Sequence, residues 1–279
     1  MRNLLMLTLA LLVGAACSNN ATQTAQNTSA RNGNITVAGS TALLPLVKQA
    51  AQDYQTAHPG VRISVAGGGL RVGLTQAQQK GVDVGDSDIA PGSAQQDLVD
   101  HKVAVVIFAV IVNPSTGVNA LSKSQIRDIF SGKITNWKQA GGGDHPITLV
   151  NRPRSSGTRA VFVSTLMGGQ QPTESALTQD SSGTVVTTVA QTPGAASYVS
   201  IGYLKNGRVS AIKIDGVAAD ANAVKSGRYP FWSYEHMVTS GAPSNAVAGF
   251  IAFVAKDRAL LHRVGFLATD EVTANGAGR

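Results

Sequence analysis

Three times between residues 35 and 91 the chain repeats one pattern, and that pattern admits few folds. Ile35-Thr36-Val37 reads as a short strand and Gly39-Ser40-Thr41 as a turn. Leu43, Leu46, Val47, Ala50, Ala51 and Tyr54 then recur at helical spacing until His58-Pro59-Gly60 stops the helix. A second apolar run at 61–65 opens into Gly67-Gly68-Gly69, and a further helical stretch ends at Gly81. Val82-Asp83-Val84 is the third strand, running into Gly85-Asp86-Ser87-Asp88 and Pro91. Strands alternating with helices predict an α/β fold, and open α/β sheets bind ligands beyond the carboxyl ends of their strands. The three Gly/Ser/Thr/Asp loops are expected to line one site.

Residues 103–112 are almost wholly apolar and are closed by Asn113-Pro114. The run is long for one buried strand, and such a strand can pass between two lobes. Next come a helix with Ile126, Ile129 and Phe130 on one face, a turn at Gly132, Trp137 and the loop Gly141-Gly142-Gly143. The remaining periodicity predicts helices at 184–190 and 220–226, strands at 197–201 and 209–214, a break at Tyr229-Pro230, and closing helices at 245–255 and 258–264.

One segment carries a dense set of donors. The apolar run 147–150 leads through Arg152-Pro153-Arg154-Ser155-Ser156-Gly157-Thr158-Arg159 into a helical stretch at 160–167. Two hydroxyls, arginines and a glycine that admits close backbone approach stand where a helix N-terminus would aim its free amides. The segment is an oxyanion cradle.

Composition narrows the partner little. The 279 residues, 43% hydrophobic, suffice for one large core or two smaller ones. A formal charge of +7 attracts small anions and acidic surfaces alike. No basic block interleaved with aromatics is present, which argues against nucleic acid. The five histidines, His58, His101, His145, His236 and His262, have no metal-ligand spacing, no serine sits in a G-x-S-x-G elbow, and residues 67–73 miss G-x-G-x-x-G by one position. No metal, cofactor or catalytic residue is expected, and binding without catalysis is the reading.

The N-terminus reads as an address. Arg2, the apolar run 4–13 and Gly14-Ala15-Ala16-Cys17 form a signal segment, residues 1–17, too short to span a bilayer. It resembles a bacterial lipoprotein signal, in which Cys17 becomes the acylated N-terminus. Gly14 stands where that motif usually has a branched aliphatic residue, and Gly14-x-Ala16 also fits ordinary signal peptidase, so both routes stay open. Cys17 is the single cysteine, which excludes an intrachain disulfide. Residues 18–33 are polar and form a disordered tether.

Gly39-Ser40-Thr41, Gly67-Gly68-Gly69, Asp86-Ser87-Asp88, the run from Ile129 through Phe130-Ser131-Gly132-Lys133-Ile134-Thr135-Asn136 to Trp137, and Ser156-Gly157-Thr158-Arg159 occur in one order. Together they resemble the PstS phosphate-binding proteins of ABC transporters. The resemblance implies a two-lobed periplasmic-binding-protein fold of type II, with residues 34–109 plus 231–279 in lobe 1 and 110–230 in lobe 2. It carries phosphate contacts onto Ser40, Thr41, Asp88, Arg152, Ser156, Gly157 and Thr158.

Asp88 would choose the ligand, because a carboxylate repels an anion that has no proton to donate to it. Leu70-Arg71 replaces the family's usual Ser-Gly, so Gly69, Leu70 and Arg71 are possible additional contacts, with Arg71 either entering the cleft or exposed. Arg154 and Arg159 either brace Asp88 or Asp86 or carry solvated charge. The implied role is capture of inorganic phosphate for ABC permease subunits by a monomer held at the cell envelope by a lipid anchor. Alternatives are a receptor for sulfate, molybdate or arsenate, a surface phosphatase, or an adhesion protein.

Overall fold

The computed structural model describes residues 33–272. The expected signal segment, the lipidation site Cys17, the tether up to residue 32 and the tail 273–279 lie outside the described residues. Gly33, given to the tether by its composition, already pairs with Val61.

β1 (Gly33–Gly39) is followed by α1 (Leu44–Ala57), β2 (Val61–Gly67), α2 (Leu70–Gln78) and β3 (Val84–Ser87). The 15-residue β4 (Leu98–Val112) leads to β5 (Ala120–Leu121), α3 (Lys123–Phe130), β6 (Thr148–Asn151), α4 (Gly157–Thr165), β7 (Leu177–Thr178), α5 (Ser182–Gln191) and β8 (Ala195–Ser200). The short β9 (Ser210–Ala211), β10 (Lys213–Ile214) and α6 (Ala221–Lys225) precede β11 (Trp232–Ser240), α7 (Asn245–Lys256), α8 (Arg258–Val264) and β12 (Phe266–Leu267).

The strands run β2-β1-β3-β11-β4-β8-β6-β7, with β9 and β12 also on β4 and a separate β5-β10 pair. β1 is parallel to β2 and β3, and β6 is parallel to β7 and β8, so each end of the array is a small α/β sheet. The two sheets share β4. Residues 98–107 of β4 pair with β11, whereas 108–112 pair with β8. The fold is two-lobed, as expected, and this strand belongs to both halves. Every residue from Val103 to Val112 is buried, which is why the run shows no polar alternation.

Helices cover the sheets through close packing. A Cβ on Gly85 of β3 would lie 2.3 Å from the carbonyl oxygen of Gly73 in α2, so the absence of side chains lets that helix lie on the sheet. In the second half, Phe162 of α4 stacks on Tyr198 of β8 at 4.0 Å between ring centroids.

Several boundaries differ from the sequence reading. The strand expected at 82–84 is β3 at Val84–Ser87, so Asp86 and Ser87 are strand residues rather than loop, Asp86 held by β1 on one side and β11 on the other and Ser87 by β11. The single strand expected at 209–214 is two, because β9 joins β4 while β10 joins β5. β11 has no counterpart in the sequence reading. It is largely buried between β3 and β4, so the two-residue alternation that marks a half-exposed strand is missing.

Candidate functional site

The site forms where β1, β3 and the β6–α4 connection converge. After β1 the chain turns at Ser40, whose amide donates to the Asp86 carbonyl at 2.9 Å. Its hydroxyl accepts from the amides of Ala42 and Leu43 and donates to Asp88 Oδ1 at 2.5 Å. Ser40 thereby ties the entry to α1 to the carboxylate beyond β3.

Ser156 caps α4, its hydroxyl accepting from the Arg159 amide at 3.3 Å. The helix therefore begins at Gly157, three residues earlier than its apolar periodicity suggests. Asp88 comes to this N-terminus from the other lobe, its Oδ2 lying against Gly157, and the Thr158 amide favours its ionised form. A carboxylate thus sits where free amides and the helix dipole favour negative charge.

Arg152 is 1% exposed. Nε donates to the Gln179 carbonyl at 3.0 Å, and Nη2 donates to the Asp180 carbonyl at 2.9 Å and to Thr41 Oγ1 at 3.1 Å. Nη1 makes only a long contact, 3.5 Å, to Ser182 Oγ. A guanidinium carries five N–H donors, so the Nη1 edge is the part of the fork left for a further acceptor. Burial lowers the arginine's proton affinity and the Asp88 charge opposes this. Thr41 closes the contact between lobes: its carbonyl accepts from Tyr203 Oη at 2.6 Å, and its hydroxyl lies 3.2 Å from Ser182 Oγ.

The acidic side is crowded. Asp88, Asp86 and Glu235 are each 2% exposed or less. Burial raises Asp88 above the usual carboxylate range, while Ser40, Glu235, Arg152 and the Thr158 amide pull it back. Burial, then the neighbouring Asp88, pushes both Asp86 and Glu235 well above that range.

Ser40, Thr41, Asp88, Arg152, Ser156, Gly157 and Thr158 are all buried and come together here. The other suggested contacts divide. Gly69 approaches the Ser155 carbonyl, but Leu70 packs with Leu74, Ala77, Leu98 and Val238, and the Arg71 side chain is exposed. Neither Arg154 nor Arg159 braces the aspartates. Arg154 is exposed and pairs with Glu174 at 2.7 Å, while Arg159 donates from Nη1 to the Arg152 carbonyl at 2.8 Å. Arg159 acts from beneath, fixing the backbone that carries Arg152.

Sequence reasoning missed Ser182 and Tyr203, which join the lobes through Thr41, and Glu235. The available signal for Glu235 was a lone acid inside an aromatic and β-branched run, which is unusual in a central strand.

The sequence matches the PBP superfamily domain over residues 22–258. It is 41% identical over 254 residues to a phosphate-binding protein PstS of Bacillus subtilis, covering 88% of this chain and 84% of that one. A putative phosphate ABC transporter substrate-binding protein from Clostridium perfringens, solved with bound phosphate, superposes with a TM-score of 0.81 at 27% identity, over 85% of this chain and 100% of that one. An ABC-type phosphate transport receptor from Vibrio cholerae gives a TM-score of 0.67 at 28% identity, over 84% and 99% of the two chains. With this fold, and with an arginine and an anion-favouring helix N-terminus of one lobe meeting an aspartate of the other, the chain belongs to the PstS family of the PBP superfamily.

Proposed function

We propose that the protein binds inorganic phosphate between its lobes and delivers it to an ABC permease for import, without chemical conversion of the ligand. The observation that carries this reading is the meeting of Asp88 with the α4 N-terminus and Arg152. Arg152, Ser156, Gly157 and Thr158 supply donors from one lobe, and Ser40 and Thr41 supply them from the other. Asp88 accepts the proton of hydrogen phosphate. Sulfate at neutral pH has no such proton and would be repelled by the buried carboxylate.

The lobe division that fits this action assigns 34–109 and 231–272 to one lobe and 110–230 to the other. Phosphate then closes the lobes by satisfying donors on both sides. The Bacillus subtilis and Vibrio cholerae proteins are named for phosphate binding and transport, not for catalysis, which supports a receptor over a phosphatase. Residence at the outer face of the membrane or in the periplasm follows from this role, with Cys17 as the site of a lipid anchor and the monomer as the working unit.

Titration calorimetry with phosphate, arsenate, sulfate and molybdate tests the assignment. Tight phosphate binding with little sulfate competition is expected. Comparable affinity for sulfate would overturn the role of Asp88, and hydrolysis of a phosphate ester would overturn the receptor reading.

A further inference from the structure

Glu235 is fully buried on β11, and neither of its carboxyl oxygens meets a donor group. Its carboxyl group lies close enough to that of Asp88 for each to shift the proton affinity of the other. The two strands are adjacent in the sheet, and Ser233 Oγ, two residues earlier on β11, donates to the Asp88 carbonyl at 2.9 Å. Two carboxyl groups placed so can share a hydrogen bond only when one of them holds a proton.

The geometry decides which. Asp88 receives the Ser40 hydroxyl, and this bond, the nearby Thr158 amide and the field of Arg152 all favour its ionised form. Glu235 has none of these partners. The groups that face it are Asp88 and Asp86 on the β3 side and Tyr203 from the other lobe, while its register partner on β4 is the uncharged Ala104. His236, the next residue along β11, is engaged elsewhere, with Asp100 at 2.8 Å. The charges that act on Glu235, those of Asp88 and Asp86, oppose its ionisation, which makes its carboxyl the better donor of the two.

We propose that Glu235 is a positioning residue of the anion site: a neutral carboxylic acid that donates a hydrogen bond to Asp88, so that the pair presents one negative charge, and whose deprotonation at alkaline pH weakens anion binding. The proposal rests on the phosphate reading above. It also gives Asp88 a defined orientation, with Ser40 donating to Oδ1 and Glu235 donating to the carboxylate from the sheet side. With Glu235 and Asp88 both ionised, the ligand would meet two buried carboxylates against one guanidinium. A carboxyl raised by its surroundings is neutral below its folded pKa and charged above it, so binding is retained at neutral pH and lost as pH rises.

The test is the phosphate dissociation constant of the purified protein as a function of pH, followed between the second and third ionisations of phosphate so that the ligand stays a dianion. Wild type should weaken on the alkaline limb by about tenfold per pH unit once the proton is released. Glu235→Gln, permanently neutral and still a donor, should bind at neutral pH within about threefold of wild type, a shift of less than 1 kcal/mol, and lack that limb. Asp86→Asn should keep the limb.

An unchanged limb in Glu235→Gln, or loss of neutral-pH binding in a folded Glu235→Gln protein, would overturn the proposal. Carbon-13 NMR of glutamate-labelled protein supplies a second readout that does not depend on a variant's affinity. One carboxyl carbon should carry the shift of a protonated acid at neutral pH, and its absence would equally overturn the assignment. Failure of wild type to bind phosphate at any pH would sink the phosphate reading instead.

Discussion

A methyl group on the α-carbon of Gly157 would lie 2.1 Å from Asp88 Oδ2. The two residues belong to opposite halves of the molecule, so this contact is a gauge of how closely the halves meet. Gly157 is needed for what lies across from it, since its own conformation is that of an ordinary helix start.

Replacing Gly157 with Ala should therefore hinder closure more than folding. Overpacking of this kind costs about 1–3 kcal/mol, which corresponds to roughly 5- to 150-fold weaker phosphate binding. Calorimetry beside thermal unfolding without ligand separates the two effects. Wild-type affinity in the variant would mean that the lobes bind ligand without this contact.

Arg152→Lys tests the fork. A lysine keeps the charge but cannot serve the Gln179 and Asp180 carbonyls, Thr41 and a ligand oxygen together. Affinity should fall by about 100-fold or more, as for other losses in buried charge networks. Unfolding should also come earlier, because the two carbonyls lose a buried donor.

Asp88→Asn keeps the shape and removes the charge. Phosphate binding should weaken while sulfate gains, narrowing the ratio of their dissociation constants by at least about tenfold, since the repulsion that rejects a fully deprotonated anion is gone. Competition calorimetry reads the ratio directly. An unchanged ratio would move selectivity to another group.

A carboxyl near the end of the described residues ties α6 to α8. Lys225 of α6 and His262 of α8 both reach Glu271, at 2.7 and 2.8 Å. Burial alone would raise this carboxyl, but the bonds from Lys225, His262 and the Ala268 amide outweigh it and hold the group at about 2. A depressed folded value adds stability above the unfolded value near 4.5, and that stability is lost as pH falls through about 2. Urea unfolding of Glu271→Gln should show a deficit against wild type at neutral pH that shrinks in acid. A deficit independent of pH would assign the effect to packing.

Much of this was legible because backbone chemistry repeats. The strand–loop–helix alternation located β1, α1 and β2 closely, and Asn245 and Arg258 begin α7 and α8 at the predicted positions. The donors at 152–158 were readable because capping and anion binding require the same residue types. Glu235 was not readable, since its meaning depends on the pairing of β11 with β3, a contact between residues some 150 positions apart in the chain. The buried role of Arg159 was hidden likewise, because no local pattern separates an arginine that serves a carbonyl from one that faces water.

β4 constrains how the halves can move. Its hydrogen bonds pass from β11 to β8 between Ile107 and Phe108, where the Phe108 amide donates to the Phe231 carbonyl at 3.0 Å and Tyr229 Oη donates to the Phe108 carbonyl at 2.8 Å. Two chain segments cross there side by side, fastened to each other. Such a joint resists sliding and stretching but yields to twist, so it behaves as a torsion bar. Any twist shared among its dihedrals is felt most at Asp88 and Gly157, where the halves meet across the cleft.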